Sequence, residues 1–205
     1  MKKIDLENLT LNDLVVFVNF LVMLTTSRLK LRPWRESDFP LFAALNADPE
    51  VRKYFPGILS EEESNKEAQR ISKMIDDNGW GFWTAELLDS KEYIGFIGLA
   101  PVSKEAPFGP TVEIGWRLAK SYWGKGFATE GAIAARDYAF IELKLPEIVA
   151  FTAVNNAPSR KVMTRIGMQH SKNEDFDHPK IEEGNPLRRH VLYRITKEEW
   201  QHVRR

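Results

Sequence analysis

Apolar and polar residues alternate through "SRLKLRPW", Ser27 to Trp34, which predicts an extended strand. Ser37-Asp38 then opens a short helical pattern that reaches about Ala47 and ends near Pro49. The stretch "SEEESNKEAQRISKMIDD" has a helical repeat behind Ser60 and Glu63, the two ends of a capping box, and Asn78-Gly79 stops it. Three strand patterns come next: "WGFWTAELL", "EYIGFIGLAPV" and "TVEIGWRL". "DSKE" joins the first two as a hairpin turn, and "SKEAPFGP" separates the second from the third. A glycine turn leads into a helix from about Phe127 to Ile141. After Pro146, "EIVAFTAV" is almost continuously apolar, the pattern of a central strand covered on both faces. "NNAPSRKVMTRIG" predicts a short helix closed by Gly167, and the tail from "GMQH" to "HVLYRIT" predicts two more strands around a long polar loop.

The predicted order is strand, two helices, three strands, helix, strand, helix, two strands, a mixed α/β sheet. "TVEIGWRL", the helix after it and "EIVAFTAV" should form one right-handed βαβ unit with parallel strands. A length of 205 residues suits one well-buried domain. Residues 1–23 stand apart as an extension to a domain spanning 24–205. Their apolar run, Leu14 to Leu24, falls short of the roughly 20 residues a membrane span needs. Lys2 and Lys3 resemble a leader's basic start, but Asp5, Glu7 and Asp13 precede the run and no cleavage site follows it. The run therefore reads as an extra docking helix, or as a translated segment upstream of a start at Met23.

Composition narrows the chemistry. Lys plus Arg and Asp plus Glu both number 29, so bulk charge gives no case for nucleic acid or an anionic membrane as partner. The chain has no cysteine, which removes disulfides, thiolate metal sites and a cysteine nucleophile and fits a cytoplasmic protein. His170, His178, His190 and His202 lack metal-ligand spacing, and no metal is expected.

The glycine turn "SYWGKGFATEGA" is the strongest candidate for ligand binding. A helix N-terminus offers unpaired N–H groups and about half a positive charge, and Gly124 and Gly126 clear side chains from it. Thr129 adds a hydroxyl in the first turn. A tight turn with no ligand explains a lone Gly-x-Gly equally well. The nucleoside-triphosphate loop fits badly, because the lysine lies between the glycines. The dinucleotide fingerprint fits badly too: Thr129 replaces its third glycine, and the next strand ends in Asn155-Asn156 instead of an acid. A diphosphate of another kind is expected.

"VEIGWRLAKSYWGKGFATEGA" followed by "VNNAPSRKVMTRIGM" resembles the GNAT N-acetyltransferase superfamily. The opening "LTTSRLKLRPWRESD" and the closing "FDHPKIEEGNPLRRHVLYRITKEEW" are similar to its RimJ/RimL-like branch, which includes ribosomal-protein N-terminal acetyltransferases. The resemblance spans about Leu24 to Trp200. It implies a mostly antiparallel sheet, splayed at the parallel pair, with acetyl-CoA as co-substrate and pantetheine in the gap. It assigns coenzyme contacts to Trp116, Arg117, Leu118, Trp123, Gly124, Lys125, Gly126, Phe127, Ala128, Thr129, Asn156 and Ser159. The family's Gln or Arg three residues before the first glycine is Ser121 here, so no side chain at 121 is expected to grip phosphate. The other partner implied is an amine acceptor, and the protein itself would be a monomer or homodimer.

Two residues are candidates for catalysis. Val112, Ile114, Trp116 and Leu118 share one strand face, which leaves Glu113 on the other beside Gly115 and Arg117, placed to act as a base through water. A surface glutamate, or a partner of Arg117, is the plain alternative. Ser159 matches the family serine near the thioester sulfur, and helix capping by Asn155, Asn156 or Ser159 is its plain alternative. Tyr193 is a distant substitute for the tyrosine acid that the family uses widely. Trp80, Phe82 and Trp83 read as core and cleft wall, His178 as part of the loop framing the acceptor, and Arg188-Arg189 as a solvated pair or a grip on an acidic acceptor. The leading expectation is acetyl transfer to a peptide N-terminus, possible on a ribosomal protein. The alternatives are a small amine as acceptor, or a CoA-binding sensor without turnover.

Overall fold

The structure is a computed structural model that describes residues 22–203. The apolar run near the N-terminus lies outside those residues, apart from its last members. Nine strands form one sheet: β1 Leu24–Thr25, β2 Leu29–Arg32, β3 Phe82–Leu87, β4 Tyr93–Val102, β5 Thr111–Leu118, β6 Glu147–Ala153, β7 Gln169–His170, β8 Phe176–Asp177 and β9 Arg189–Thr196. Their spatial order is β1-β2-β3-β4-β5-β6-β9-β7, with β8 also paired to β9. Every pairing is antiparallel except β5 with β6.

Among the described residues five α-helices accompany the sheet: α1 Phe39–Ala47, α2 Glu61–Asn78, α3 Phe127–Ile141, α4 Ala157–Arg165 and α5 Lys197–Val203. The capping box at α2 forms as its sequence predicts. Ser60 Oγ accepts the Glu63 amide at 3.2 Å, the Glu63 carboxylate accepts the Ser60 amide at 2.8 Å, and Gly79 ends the helix at φ +78°. Helices α1 and α2 cover one face of the sheet, where Phe42 meets Phe96 at 6.0 Å and Phe82 meets Phe96 at 5.1 Å between ring centroids. Helix α3 covers the other face. There Tyr138 packs edge-on to Trp83 at 5.5 Å, and Gly131 lies so close to Ile97 that a Cβ would come within 2.4 Å of its side chain.

Two expectations need correction. The tail contains three strands and a closing helix, not two strands alone. Strands β7 and β8 are two residues each, too short to show a period. Helix α5 begins with a second capping box, in which Thr196 Oγ1 accepts the Glu199 amide at 3.2 Å and Glu199 accepts the Thr196 amide at 2.8 Å. The first strand is also shorter than its pattern, because Pro33 and Trp34 leave the sheet. Arg32 instead anchors a buried ion cluster, bidentate to Asp38 at 2.7 and 2.9 Å and bonded to Glu86 at 2.7 Å, that ties β2 and β3 to the entry of α1. Among the described residues no helix is long and apolar enough to cross a membrane.

Candidate active site

Strand β5 carries the site because its two sides do different work. Ala119 donates its amide to Ile94 on β4, and by antiparallel alternation the backbone groups of Gly115 and Arg117 also face β4. Those of Trp116 and Leu118 therefore face β6. The parallel ladder between β5 and β6 has a single register, Glu113 opposite Val149. Beyond it the strands diverge. Trp116 and Leu118 on one side, and Phe151 and Ala153 on the other, present strand edges to a gap.

The glycine turn closes the end of this gap. Gly124 at φ +74° and Gly126 at φ +84° both hold left-handed backbone, a conformation costly for residues with a Cβ. Gly126 caps α3 with no side-chain hydrogen bond, and the first amide that turns back into the helix is Glu130 to the Gly126 carbonyl at 3.0 Å. The amides of Phe127, Ala128 and Thr129 thus point out of the helix mouth as open donors. Trp123 bends back instead: its indole N–H donates to the Leu118 carbonyl at 2.7 Å, locking the turn to the lip of the gap. Lys125 holds its ammonium over the Tyr122 ring at 5.4 Å, and Ser121 is exposed.

Asn156 begins α4 on the far side of the gap. Its side-chain carbonyl accepts the Ser159 amide at 3.3 Å and its amide donates to Thr152 Oγ1 at 2.9 Å. Asn156 is therefore the helix cap, which leaves the half-buried Ser159 hydroxyl without a partner in the described protein. Tyr193 is buried on β9, its ring stacked on His170 at 5.1 Å and its hydroxyl 3.4 Å from Arg160 Nε.

Glu113 lies on the α1/α2 side of β5, as the alternation predicts. Burial raises its carboxyl from 4.5 to about 7, with Arg70 on α2 pulling in the opposite direction. The residue nevertheless keeps partial solvent contact, which suits the floor of a cleft better than a closed core. Gly115 beside it leaves room for the Phe82 ring, 3.0 Å from where a Cβ would stand. Arg117 is not Glu113's partner. Its guanidinium donates to Asn46 at 2.7 Å, lies 3.6 Å from Glu67 and stacks over Phe55 at 4.4 Å. Burial lowers its pKa to about 10, against the pull of Glu67. The Arg117 side chain thus faces the two helices and the loop between them, away from the gap.

The late loop packs beside β6 and β9. His178 and His190 approach to 4.9 Å between ring centroids beside Phe176, and burial lowers the pKa of both. Arg188 and Arg189 pair with Asp177 at 3.5 and 3.3 Å. Trp83 is core, Phe82 floors the cleft over Gly115, and Trp80 is partly buried against the core. Two surface hollows, along the outer face of α2 and beside Arg35, Lys91 and Tyr93, include none of the candidate residues.

Sequence reasoning missed Glu130 and Arg28, which flank the glycine turn. Glu130 Oε1 accepts Thr26 Oγ1 at 2.6 Å, Ser27 Oγ at 3.0 Å and the Arg28 amide at 2.8 Å. Burial alone would raise its pKa, but these bonds and that from Arg28 Nε hold it below the usual carboxylate value. An acid in the first turn of a helix with open amides at its mouth is the available signal.

Comparison with known proteins agrees with this fold. The profile of the acetyltransferase (GNAT) domain matches residues 28–169. The chain is 34% identical to the uncharacterized N-acetyltransferase YnaD of Bacillus subtilis, over 86% of this chain and 98% of that protein. It is also 34% identical to the FsC-acetyl coenzyme A-N(2)-transacetylase of Aspergillus fumigatus, over 86% of this chain and 77% of that protein. Among solved structures, a GNAT-family acetyltransferase from Bacillus anthracis superposes with a TM-score of 0.72 at 28% identity, covering 86% of this chain and 99% of that one.

Proposed function

The chain belongs to the GNAT acetyltransferase family and is an acetyl-CoA-dependent N-acetyltransferase, and from that premise we propose that it acetylates a primary amine by direct attack within a ternary complex. The observation that carries this reading is the parallel ladder that stops after Glu113 and Val149, leaving a gap whose end is lined by the open amides of α3. In this reading the coenzyme pyrophosphate rests on the turn from Trp123 to Thr129. Pantetheine enters the gap and bonds the edge at Trp116 and the Leu118 amide as an added strand would, the Leu118 carbonyl being held by Trp123. The acyl group then stands near the α1/α2 side, where Glu113 is.

The acceptor amine must lose a proton to attack. A carboxylate with a pKa near 7 holds that proton well enough to take it and weakly enough to pass it on at neutral pH. Attack on the thioester carbonyl forms the new C–N bond, and collapse breaks the C–S bond with CoA leaving as thiolate. Ser159, whose hydroxyl has no partner among the described residues, supplies a donor for that sulfur. Without cysteine in the chain, no acyl-cysteine intermediate is available, and direct transfer needs none.

For the acceptor, the RimJ/RimL-like opening and closing segments support the N-terminal amine of a ribosomal protein or another peptide. A small amine is the second reading, and the 34% identical FsC-acetyl coenzyme A-N(2)-transacetylase, whose name specifies a nitrogen but no peptide, is compatible with it. A cytoplasmic site of action fits either. A free-thiol release assay with acetyl-CoA over peptide N-termini, polyamines, amino acids and aminoglycosides separates them: turnover is expected with one acceptor class and not the others. Tight acetyl-CoA binding with no thiol released across the panel would replace catalysis by sensing.

A further inference from the structure

We propose that Arg28 is a coenzyme-binding residue that takes a phosphate of acetyl-CoA, with Glu130 as the residue that positions it. The inference rests on the coenzyme reading above and adds a side chain from the opposite end of the domain. Arg28 lies in the turn between β1 and β2, yet its guanidinium touches three successive residues of the glycine turn. Nη1 donates to the Lys125 carbonyl at 3.0 Å, Nη2 lies 3.4 Å from where a Cβ on Gly126 would stand, and Cζ sits 4.5 Å above the Phe127 ring. Glycine at 126 is required by its left-handed backbone, and the cation comes within ordinary contact distance of it.

Glu130 fixes the orientation. Its second oxygen receives Arg28 Nε and Nη2, both at 2.6 Å, while its first takes the donors of the β1–β2 turn. An unpaired carboxylate one turn into α3 would repel an anion at the helix mouth. Here it is matched by Arg28, so the open amides keep their positive field. The Arg28 side chain is still 47% exposed, and its planar fork has N–H edges beyond those spent on Glu130 and Lys125. A rigid guanidinium with free donors beside a row of open amides is a site for phosphate oxygens.

The test is calorimetric binding of CoA, 3′-dephospho-CoA and pantetheine to the full chain, with circular dichroism as a check on folding. Wild-type binding of CoA tests the parent reading; its absence would defeat that reading, whatever Arg28 does. Given such binding, Arg28→Gln should weaken CoA by about tenfold, the scale of one charged hydrogen bond, and leave pantetheine unchanged. A loss that vanishes with 3′-dephospho-CoA identifies the 3′-phosphate as the partner, and one that persists identifies the pyrophosphate. Arg28→Lys keeps the charge but cannot pair with Glu130 and reach Lys125 together. It should lose a few-fold on phosphate-bearing ligands only, and it decides the matter if the glutamine variant does not fold. Equal losses with pantetheine and CoA, or no loss with CoA, would overturn the proposal and leave Arg28 as a brace for the turn.

Discussion

Glu113 and Glu130 flank one site and live under opposite physics. Glu113, on the cleft side of β5, is desolvated with little compensation, and its carboxyl rises to about 7. Glu130, beside the turn proposed to hold the coenzyme, is also partly desolvated but receives hydroxyl, amide and guanidinium donors and stays below the usual range. The difference lies in the neighbours. A carboxylate with saturated oxygens is a fixed anchor, and one held near neutrality with an open side can exchange protons. In the proposed reading the two halves of the site are thus divided between holding and reacting.

The largest expected effect tests the reacting half. Glu113→Gln should lower kcat by about a hundredfold or more, the low end of what a positioned base contributes, with acetyl-CoA affinity within about twofold. The wild-type rate should fall below about pH 7 as Glu113 takes up its proton, and the variant should lose that limb. A variant with wild-type kcat and pH profile would remove Glu113 from the chemistry.

Next in size is the holding half. Gly126→Val puts a β-branched side chain at φ +84°, against Arg28 and into the mouth of α3. Acetyl-CoA should bind at least about tenfold more weakly, on the scale of about 1–3 kcal/mol of backbone strain. Unchanged affinity by calorimetry would remove the turn from the coenzyme site.

Stability sharpens the contrast, because the two glutamates predict opposite signs. Glu130 has a lowered folded pKa, so its contribution is present above the ordinary carboxylate value of 4.5 and lost as pH falls through the folded one. Glu130→Gln should therefore destabilise at neutral pH, by about 1–2 kcal/mol in denaturant unfolding. Glu113 has a raised folded pKa. Stability is full below 4.5 and declines as pH rises through about 7, because the unfolded state ionises first. Glu113→Gln should be more stable than wild type at about pH 8 and converge with it near about pH 4. Destabilisation by both substitutions at pH 8 would erase the distinction. The smallest effect is at Ser159: its alanine variant should slow transfer only a few-fold, because the cap of α4 is Asn156 and survives. A change in melting temperature without a change in rate would make that hydroxyl structural.

Local signals were legible wherever a few neighbouring residues decide the geometry. The Ser60/Glu63 box, the ends of α3 and the alternating faces of β5 all follow from the pattern of the chain. The second box, Thr196 with Glu199, was equally visible but sat behind a strand pattern that absorbed it. The candidate site was legible as a set of positions but not as an arrangement. Nothing near Arg117 in sequence announces Asn46, Glu67 and Phe55, and nothing near Glu130 announces Thr26 and Arg28.

By itself, then, the amino-acid order determined which segments turn, which extend and which face each side chain takes, since φ preference and periodicity act over a few residues. It also determined that the helix mouth after Gly126 would be bare. It took the folded arrangement to end the β5–β6 ladder after one register, to set how deeply Glu113 is desolvated, and to neutralise Glu130 with a turn 102 residues away. Those outcomes depend on which distant groups exclude water or supply donors, and solvation and Coulomb energies are set by distance in space.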